Sequence, residues 1–454
     1  MRMRDPKFFE EHNARHFWHP MAHPAAMLKN PPIVVASAEG VEITDVNGHR
    51  TLDAVGGLWN VNLGYSCQPV KDAITGQLAT LPYYSSFRGT SNAAAVELSY
   101  ALTEWFSEDG LTRAFFTSGG SDSVETALRL SRQYHRIRGE LDRTKFISIR
   151  QGYHGTHFGG ASVNGNAKFR RNYEPMLPGC FHIPAPWTYR NPFNETDPAR
   201  LAELCALLLE EEIKFQSPDT VAAFIMEPVL GSGGIIVPHE SFMPKVREIC
   251  DRYGVLLIAD EVITAFGRTG AWTGSRLWGV KPDLACIAKG ISNGYFPFGA
   301  AMISEKIANA FEDNKNAFGS IGHGYTYSGH PVGAAAALAT LEETQKLNVA
   351  DNAAARGDEL LAGCKELQNK HQIVGDVRGK GLMVCLELVA DRESKAPINK
   401  GAMDIALSAA YEAGVMIRVS GNNIILSPSL VITADHVATI ITAVDSGLTA
   451  AAKA

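Results

Sequence analysis

The chain has 454 residues, 45% of them hydrophobic and 20% charged, which is typical of a globular protein large enough for two domains. Its net charge of -6 gives no electrostatic reason to expect a nucleic acid or an anionic membrane as partner. The seven cysteines form no CxxC pair, the N-terminus has no apolar signal segment, and no apolar run reaches the ~20 residues of a membrane span. We therefore predict a cytoplasmic protein without disulfides, metal sites or membrane segments.

The first predicted elements are β-strands. Residues 41–57, VEITDVNGHRTLDAVGG, alternate apolar and polar side chains around Asn47-Gly48, which is a strong hairpin signal. This hairpin precedes the region in which helices and strands alternate. We assign residues 1–65 to an N-terminal segment that contributes to a smaller domain.

The middle of the chain predicts a large α/β domain. From residue 66 to 330, helical patterns alternate with short apolar segments such as VAAFIM, VLLIAD and LACIAK. Such alternation favours a mostly parallel sheet with helices on both sides. From 331 to 454 the order changes: helices predicted at 331–346, 351–369, 400–413 and from Ala434 flank strand-like segments, which indicates a smaller α+β domain with a mostly antiparallel sheet.

Three apolar strands each end in an ionisable residue. Glu227 follows VAAFIM, Asp260 ends VLLIAD, and Lys289 follows LACIA. In open α/β sheets, ligands bind at the carboxyl ends of the strands. Three such residues at one edge, with both signs of charge, predict a functional site. Glu261 points the opposite way from Asp260, so we expect a structural role for it.

A glycine-rich turn after the strand AFFT predicts an anion site. Gly120 and Ser121 open a helix whose free N–H groups suit a phosphate, and Asp122 with Glu125 has the spacing of a helix cap. Judged alone, the segment also fits an ordinary capping turn. A competing turn, Gly231-x-Gly233, resembles a dinucleotide fingerprint but has Ile236 in place of the third glycine, and its helix begins only at about Pro238.

Four segments together resemble one known family. EPVLGSGGIIVP, LLIADEVITAFGRTGAWTG, VKPDLACIAKGISNGYFPFGA and GYTYSGHPVGAAAAL look like class III pyridoxal-phosphate aminotransferases, most of all the ω-transaminases. The resemblance extends from Trp18 to the last helix. It implies the fold type I α/β architecture with a seven-stranded, mostly parallel sheet. It also implies a homodimer, or a dimer of dimers, whose subunits share their active sites.

The resemblance implies catalytic roles for the residues at the strand ends. Lys289 would hold the cofactor pyridoxal 5'-phosphate as a Schiff base and then move the proton between substrate and cofactor. This chemistry needs a depressed lysine pKa. Asp260 would pair with the pyridinium nitrogen, and Glu227 would lie near the ring hydroxyl.

Further cofactor contacts follow from the same resemblance. Gly120 and Ser121 would bind the phosphate together with Thr326 of the partner subunit. Val262 would pack beneath the ring and Tyr153 would stack on its other face. For His154, next to Tyr153, we predict a structural role.

The resemblance also implies a substrate pocket with one cationic residue. Arg418 would bind a substrate carboxylate through two parallel hydrogen bonds and swing out for an apolar amine. One arginine suits a monocarboxylate such as pyruvate; Arg88 and Arg190 are the candidates for a second. The other predicted pocket residues are Trp59, Tyr153, Ser232, Phe87 of the partner subunit, and Phe17 or Met21.

The predicted function is an enzymatic transfer of the amino group from an ω-amino acid, diamine or primary amine to pyruvate. The products would be an aldehyde or ketone and L-alanine. The alternatives are an aminomutase or decarboxylase of the same fold, or an aminotransferase that uses 2-oxoglutarate. The sequence leaves the donor open among β-alanine, longer ω-amino acids, polyamines and aromatic amines, and it does not distinguish a dimer from a tetramer.

Overall fold

The structure is a computed structural model that describes residues 4–87, 89–314 and 317–453. Its elements alternate as predicted through the middle of the chain. In the described residues the strands are β1 (Val35–Glu39), β2 (Glu42–Asp45), β3 (Arg50–Asp53), β4 (Leu111–Thr117), β5 (Lys145–Ile149), β6 (Cys180–Ile183), β7 (Val221–Met226), β8 (Leu256–Asp260), β9 (Leu284–Ile287), β10 (Gly299–Ser304), β11 (Val374–Gly379), β12 (Val384–Asp391), β13 (Ala396–Pro397), β14 (Val415–Met416), β15 (Arg418–Ser420) and β16 (Asn423–Leu426).

Helices connect and cover these strands. The α-helices are α1 (Pro6–His16), α2 (Pro24–Lys29), α3 (Gly56–Trp59), α4 (Gln68–Thr80), α5 (Ala93–Trp105), α6 (Gly120–Ile137), α7 (Phe158–Val163), α8 (Pro198–Phe215), α9 (Phe242–Tyr253), α10 (Gly274–Leu277), α11 (Glu305–Glu312), α12 (Pro331–Lys346), α13 (Val349–Lys370), α14 (Lys400–Glu412) and α15 (Ala434–Ala451). Short 3-10 helices lie at Ser107–Asp109, Ala167–Phe169, Pro218–Thr220, Lys289–Ser292 and Ala317–Gly319.

The central sheet has the strand order β4-β10-β9-β8-β7-β5-β6. Strands β9, β8, β7, β5 and β6 pair in parallel, whereas β10 pairs antiparallel with both β9 and β4. Every residue of β7 and β8 is buried, as expected for apolar runs without alternation. The predicted α/β fold with a mostly parallel seven-stranded sheet is confirmed.

Both faces of this sheet are packed against helices, which explains the uninterrupted apolar strands. In β7, Ala223 and Ile225 point to the side where α6 lies, and Phe224 and Met226 point to the side of α8 and α9. Because successive side chains of a strand alternate between faces, a strand covered on both sides is apolar at every position. The carboxyl ends of these strands are therefore held rigidly.

Two smaller sheets lie outside the central sheet, and one of them joins the two ends of the chain. Strands β11, β12, β16 and β15 pair antiparallel, as predicted, and β13 adds to β12. The hairpin β2–β3 turns at Asn47-Gly48, with Gly48 at φ 86°, and β3 pairs in parallel with β14 from the C-terminal part. The domain boundaries after residues 65 and 330 stay a prediction.

A buried arginine joins these parts to the central sheet. Arg268 is fully buried and donates hydrogen bonds to Asn62 Oδ1 (2.7 Å), to the Leu382 carbonyl (3.2 Å) and to the Pro428 carbonyl. These acceptor oxygens offset part of the cost of burying its charge. One side chain thus ties together three segments that are distant in the sequence.

Two local predictions are wrong. The helix expected at about Pro238 begins at Phe242, and the helix expected to be capped by Asp122 and Glu125 begins at Gly120, with Gly119 at the N-cap and no capping side chain. Asp122 instead accepts a hydrogen bond from the Ser118 N–H (3.0 Å) and contacts His157 (2.6 Å). The first turn of α6 is therefore open to a ligand.

In the part of the chain that the structure describes, no helix is both long enough and apolar enough to cross a bilayer.

Candidate active site

The three strand-end residues predicted from the sequence lie in one cavity. Glu227 follows β7, Asp260 ends β8 and Lys289 follows β9, and these strands are neighbours in the sheet. The cavity has a volume of about 760 Å³. Other predicted site residues that line it are Trp59, Gly120, Ser121, Tyr153, Ser232, Val262 and Arg418.

Lys289 has the protonation behaviour that imine chemistry requires. Burial lowers the pKa of Lys289 to about 8, although the negative charges of Asp260 and Glu227 act in the opposite direction. A lysine in water has a pKa of about 10.4 and is almost fully protonated at neutral pH. The site therefore keeps a larger fraction of Lys289 as the neutral amine, which is the nucleophilic form.

Asp260 is fixed in place by a histidine. His154 Nδ1 lies 2.8 Å from Asp260 Oδ2, and the Val262 N–H donates to Asp260 Oδ1 at 3.2 Å. The His154 backbone N–H in turn donates to Asn164 Oδ1 at 2.5 Å, and the ring is fully buried. The structural role predicted for His154 therefore corresponds to a specific contact, in which its ring orients the carboxylate of Asp260. Sequence reasoning missed this contact because 106 residues separate the two partners.

Glu227 connects two loops of the cavity wall. Its carboxylate accepts hydrogen bonds from the backbone N–H groups of Tyr153 (2.9 Å) and Gly231 (2.8 Å). Burial raises the pKa of Glu227 to about 7; His154 opposes this shift and the nearby charge of Asp260 adds to it. Glu227 therefore positions Tyr153 and the loop that carries Ser232.

Glu261 faces away from the cavity. Its carboxylate accepts hydrogen bonds from Thr264 (2.5 Å), from the Gly274 N–H (2.8 Å) and from both the N–H and the hydroxyl of Ser275 (2.7 and 2.6 Å). Burial raises the pKa of Glu261, and these donors act against that shift. Adjacent carboxylates thus occupy different environments: Asp260 faces the cavity, whereas Glu261 holds the start of α10.

The open N-terminus of α6 forms a backbone cradle for an anion. A Cβ atom at Gly120 would lie 3.0 Å from Val262 Cγ1, so this position has no room for a side chain without a shift of the cavity wall. Ser121 Oγ accepts from the Thr156 N–H at 3.1 Å. Together with the amine of Lys289 and the carboxylate of Asp260, the cradle fits a phosphorylated aldehyde with a basic ring nitrogen.

The outer part of the cavity is aromatic and carries one arginine. Trp59, Met21 and Phe169 line it, and the Phe169 ring centroid lies 4.8 Å from that of Tyr153. Arg418 is half-buried at its edge, and burial lowers its pKa. The prediction named Phe17 or Met21; Met21 lines the cavity, while Phe17 is exposed away from it. Sequence reasoning missed Phe169, because one aromatic residue in an irregular segment gives no periodic signal.

Two predicted residues do not reach this cavity within one chain. Phe87 is exposed and packs near Gly324, and Thr326 lies on the same surface, where its carbonyl accepts from the Tyr83 hydroxyl at 2.8 Å. Arg190 is also elsewhere, bound to Glu387 at 2.6 Å. The other candidate for a second arginine, at position 88, lies outside the described residues.

Residues 24–448 match the family model of aminotransferase class-III. The chain belongs to the class III aminotransferases. It is 36% identical over 410 residues to a putrescine–pyruvate aminotransferase of Pseudomonas aeruginosa, covering 90% of this chain and 89% of the relative. It is 35% identical over 447 residues to a taurine–pyruvate aminotransferase of Bilophila wadsworthia, covering 96% and 95%.

Solved structures of transaminases agree with this assignment. An amine transaminase from an uncultivated Pseudomonas species, bound to pyridoxal phosphate, is 46% identical, with a TM-score of 0.94 and coverage of 96% of this chain and 98% of that chain. The prediction of a class III aminotransferase similar to the ω-transaminases is confirmed, and so is that of an enzyme. Pyridoxal phosphate as the cofactor is confirmed at the level of the family.

Proposed function

We propose that this enzyme uses pyridoxal phosphate to transfer the amino group of an amine or ω-amino acid to pyruvate, giving an aldehyde or ketone and L-alanine. The observation that carries the proposal is the arrangement of Lys289, Asp260 and the open N-terminus of α6 around one cavity with Arg418 at its outer edge. The curated relatives named above act on putrescine or taurine with pyruvate.

Each part of the cavity has a role in this proposal. When bound, pyridoxal phosphate supplies an aldehyde that condenses with amines and a ring that accepts electrons from the substrate carbon. Asp260, oriented by His154, would hold a proton on the ring nitrogen. Gly120 and Ser121 would bind the phosphate, and Val262 and Tyr153 would contact the two faces of the ring. Lys289 Nζ would remove the proton from the substrate carbon and deliver it to the cofactor.

Pyruvate as the acceptor is supported by the charges near the substrate end. Arg418 is the one arginine that lines the cavity in the described part of the chain, and a guanidinium binds one carboxylate with two parallel hydrogen bonds. Arg190, the described candidate for a second arginine, is committed to Glu387 and to the Lys395 carbonyl at 2.6 Å each. This arrangement favours a monocarboxylate over 2-oxoglutarate.

We further propose a homodimer in which each subunit completes the site of the other. An exposed aromatic surface contains Phe87, Tyr83 and Tyr327, and Thr326 lies beside it. Exposed apolar patches of this kind mark interaction surfaces. In the dimer, Phe87 and Thr326 of the partner subunit would reach the substrate pocket and the phosphate.

We also propose a cytoplasmic location. All seven cysteines are free, which supports this location.

Half-reactions test the catalytic proposal. The holoenzyme mixed with an amine alone is expected to change its cofactor absorbance and to release one carbonyl product per active site without CO2. Pyruvate added afterwards should restore the original spectrum and yield one L-alanine. Release of CO2 would indicate a decarboxylase, and an isomerised amine would indicate an aminomutase. If 2-oxoglutarate but not pyruvate restores the original spectrum, pyruvate is not the acceptor.

Mixing two inactive variants tests the shared site. Lys289→Ala lacks the imine-forming amine, and Thr326→Asp places a negative charge where the partner's phosphate would bind. If the sites are shared, subunit exchange between them creates hybrid dimers with one site free of both changes, so part of the activity returns. If each site is complete within one chain, no mixture regains activity. Light scattering of the same samples measures the number of subunits.

A further inference from the structure

A second cation lies beside the substrate arginine. Lys168 is in the short helix Ala167–Phe169, next to Phe169, which lines the active-site cavity. Its ammonium nitrogen lies 4.7 Å from the centroid of the Phe169 ring and 3.4 Å from Ser420 Oγ. The Lys168 side chain therefore connects the short helix Ala167–Phe169 with β15, the strand that carries Arg418.

The strand geometry places Lys168 close to Arg418, which lines the cavity. Arg418 and Ser420 are the first and last residues of β15, so their side chains share one face of the strand, with Cα atoms about 7 Å apart. Lys168 contacts that face through Ser420. Both cations are therefore within reach of one acidic group bound beside Phe169.

In the described residues, no ion pair includes Lys168 or Arg418. By contrast, Arg190 and Arg378, which also contact the C-terminal strands, each have a carboxylate partner. Burial lowers the pKa of Lys168, and the charge of Arg418 lowers it further. Two like charges held close together without a counter-ion repel each other, and a bound anion relieves this repulsion.

We propose that Lys168 and Arg418 form a two-cation site for the acidic group of an ω-amino donor. The inference rests on the transaminase function proposed above and narrows its donor class. Donors that end in a carboxylate or sulfonate are attracted to the site. A diamine, whose distal end is a second ammonium, is repelled by the same two charges.

Three donors of equal chain length isolate the distal charge. The experiment measures kcat/KM of the holoenzyme for 4-aminobutyrate, butylamine and 1,4-diaminobutane in the amine half-reaction, at low and high salt. Lys168→Met is expected to lower the value for 4-aminobutyrate about three- to tenfold, to leave that for butylamine within twofold, and to raise that for 1,4-diaminobutane about threefold, as for a partly solvated charge. Taurine serves as the sulfonate probe and should follow 4-aminobutyrate.

Two variants control for effects other than charge. Lys168→Arg retains the cation and should recover most of the preference for 4-aminobutyrate. Lys365→Met removes an exposed lysine from α13, far from the cavity, and should leave all three values unchanged. Equal changes of Lys168→Met on the three donors would overturn the two-cation site, as would a loss that Lys168→Arg does not restore.

A binding measurement separates this inference from the proposed function. Glutarate carries acidic groups but no amine, so its binding to the holoenzyme can be followed by calorimetry without turnover. Lys168→Met should weaken glutarate binding about three- to tenfold. If no amine reacts with the enzyme yet glutarate binding depends on Lys168, the proposed function fails and the anion site stands. If amines react but glutarate binding is unchanged in Lys168→Met, the anion site fails alone.

Discussion

The cofactor end and the substrate end of the cavity are built in different ways. At the cofactor end, Glu227, Asp260 and Lys289 lie at the carboxyl ends of three neighbouring strands whose residues are buried, so rigid elements of one sheet set their spacing. At the substrate end, Trp59 and Arg418 come from segments far apart in the sequence, and Phe87 needs a second subunit in our proposal. In our proposal, the cofactor end therefore sets the chemistry, and changes at the substrate end alter the preference for the donor.

The largest effect is expected from a variant at the cofactor end. Lys289→Ala removes both the imine-forming amine and the proton carrier, so we expect kcat to fall by at least about 10⁴-fold. Steady-state assays with an amine and pyruvate measure the loss. Lys365→Ala, on the exposed face of α13, is the matched control and should retain full activity. Substantial turnover by Lys289→Ala would remove the basis of the proposed mechanism.

The next effect distinguishes two adjacent carboxylates. Asp260→Asn keeps the size of the side chain but loses the charge beside the ring nitrogen, so we expect kcat to fall about 10²–10³-fold with little change in stability. Glu261→Gln leaves buried donors imperfectly paired and should lower the free energy of unfolding by about 1–3 kcal/mol with a smaller loss of kcat. Enzyme rates and denaturant titrations are measured for both variants. If Asp260→Asn mainly lowers stability and Glu261→Gln mainly lowers kcat, the catalytic role of Asp260 and the structural role of Glu261 are wrong.

A smaller effect is expected from a variant at the substrate end. Arg418→Ala should raise KM for pyruvate about 10–100-fold, because a charged hydrogen-bonded contact to the carboxylate is lost. The half-reaction with butylamine, which has no carboxylate, should change less than threefold. Equal losses in the two half-reactions would show that Arg418 supports the fold of the site instead of binding the acceptor.

The smallest effect concerns pH and the amine of Lys289. Its lowered pKa of about 8 means that the neutral form grows as pH rises and is nearly complete above that value. Capture of pyridoxal phosphate by the apoprotein, followed by absorbance, should therefore speed up about tenfold from pH 7 to pH 9 and then level off. Nα-acetyl-lysine is the control and should accelerate up to about pH 10. A protein rate that follows the same course as this control would contradict a depressed pKa.

The sequence predicted the cofactor end better than the substrate end for a physical reason. Continuous apolar runs identify buried strands, and the residues that end such strands must meet at one edge, so Asp260 and Lys289 could be placed together. The contact of His154 with Asp260 joins residues 106 positions apart and leaves no periodic signal. Lys168 was missed for the same reason, since a lysine in an irregular segment looks like any solvated charge.

The parallel pairing of β3 with β14 has a consequence for biosynthesis. Leu52 leaves the ribosome early, but its strand partner Val415 is made only near the end of translation. At 5–20 residues per second, the edge of the N-terminal hairpin waits roughly 20–70 s for that partner. During this interval its unpaired backbone groups are free to join other nascent chains. Because β3 and β14 come from the two ends of the chain, we expect slow folding and a need for chaperones in the cell.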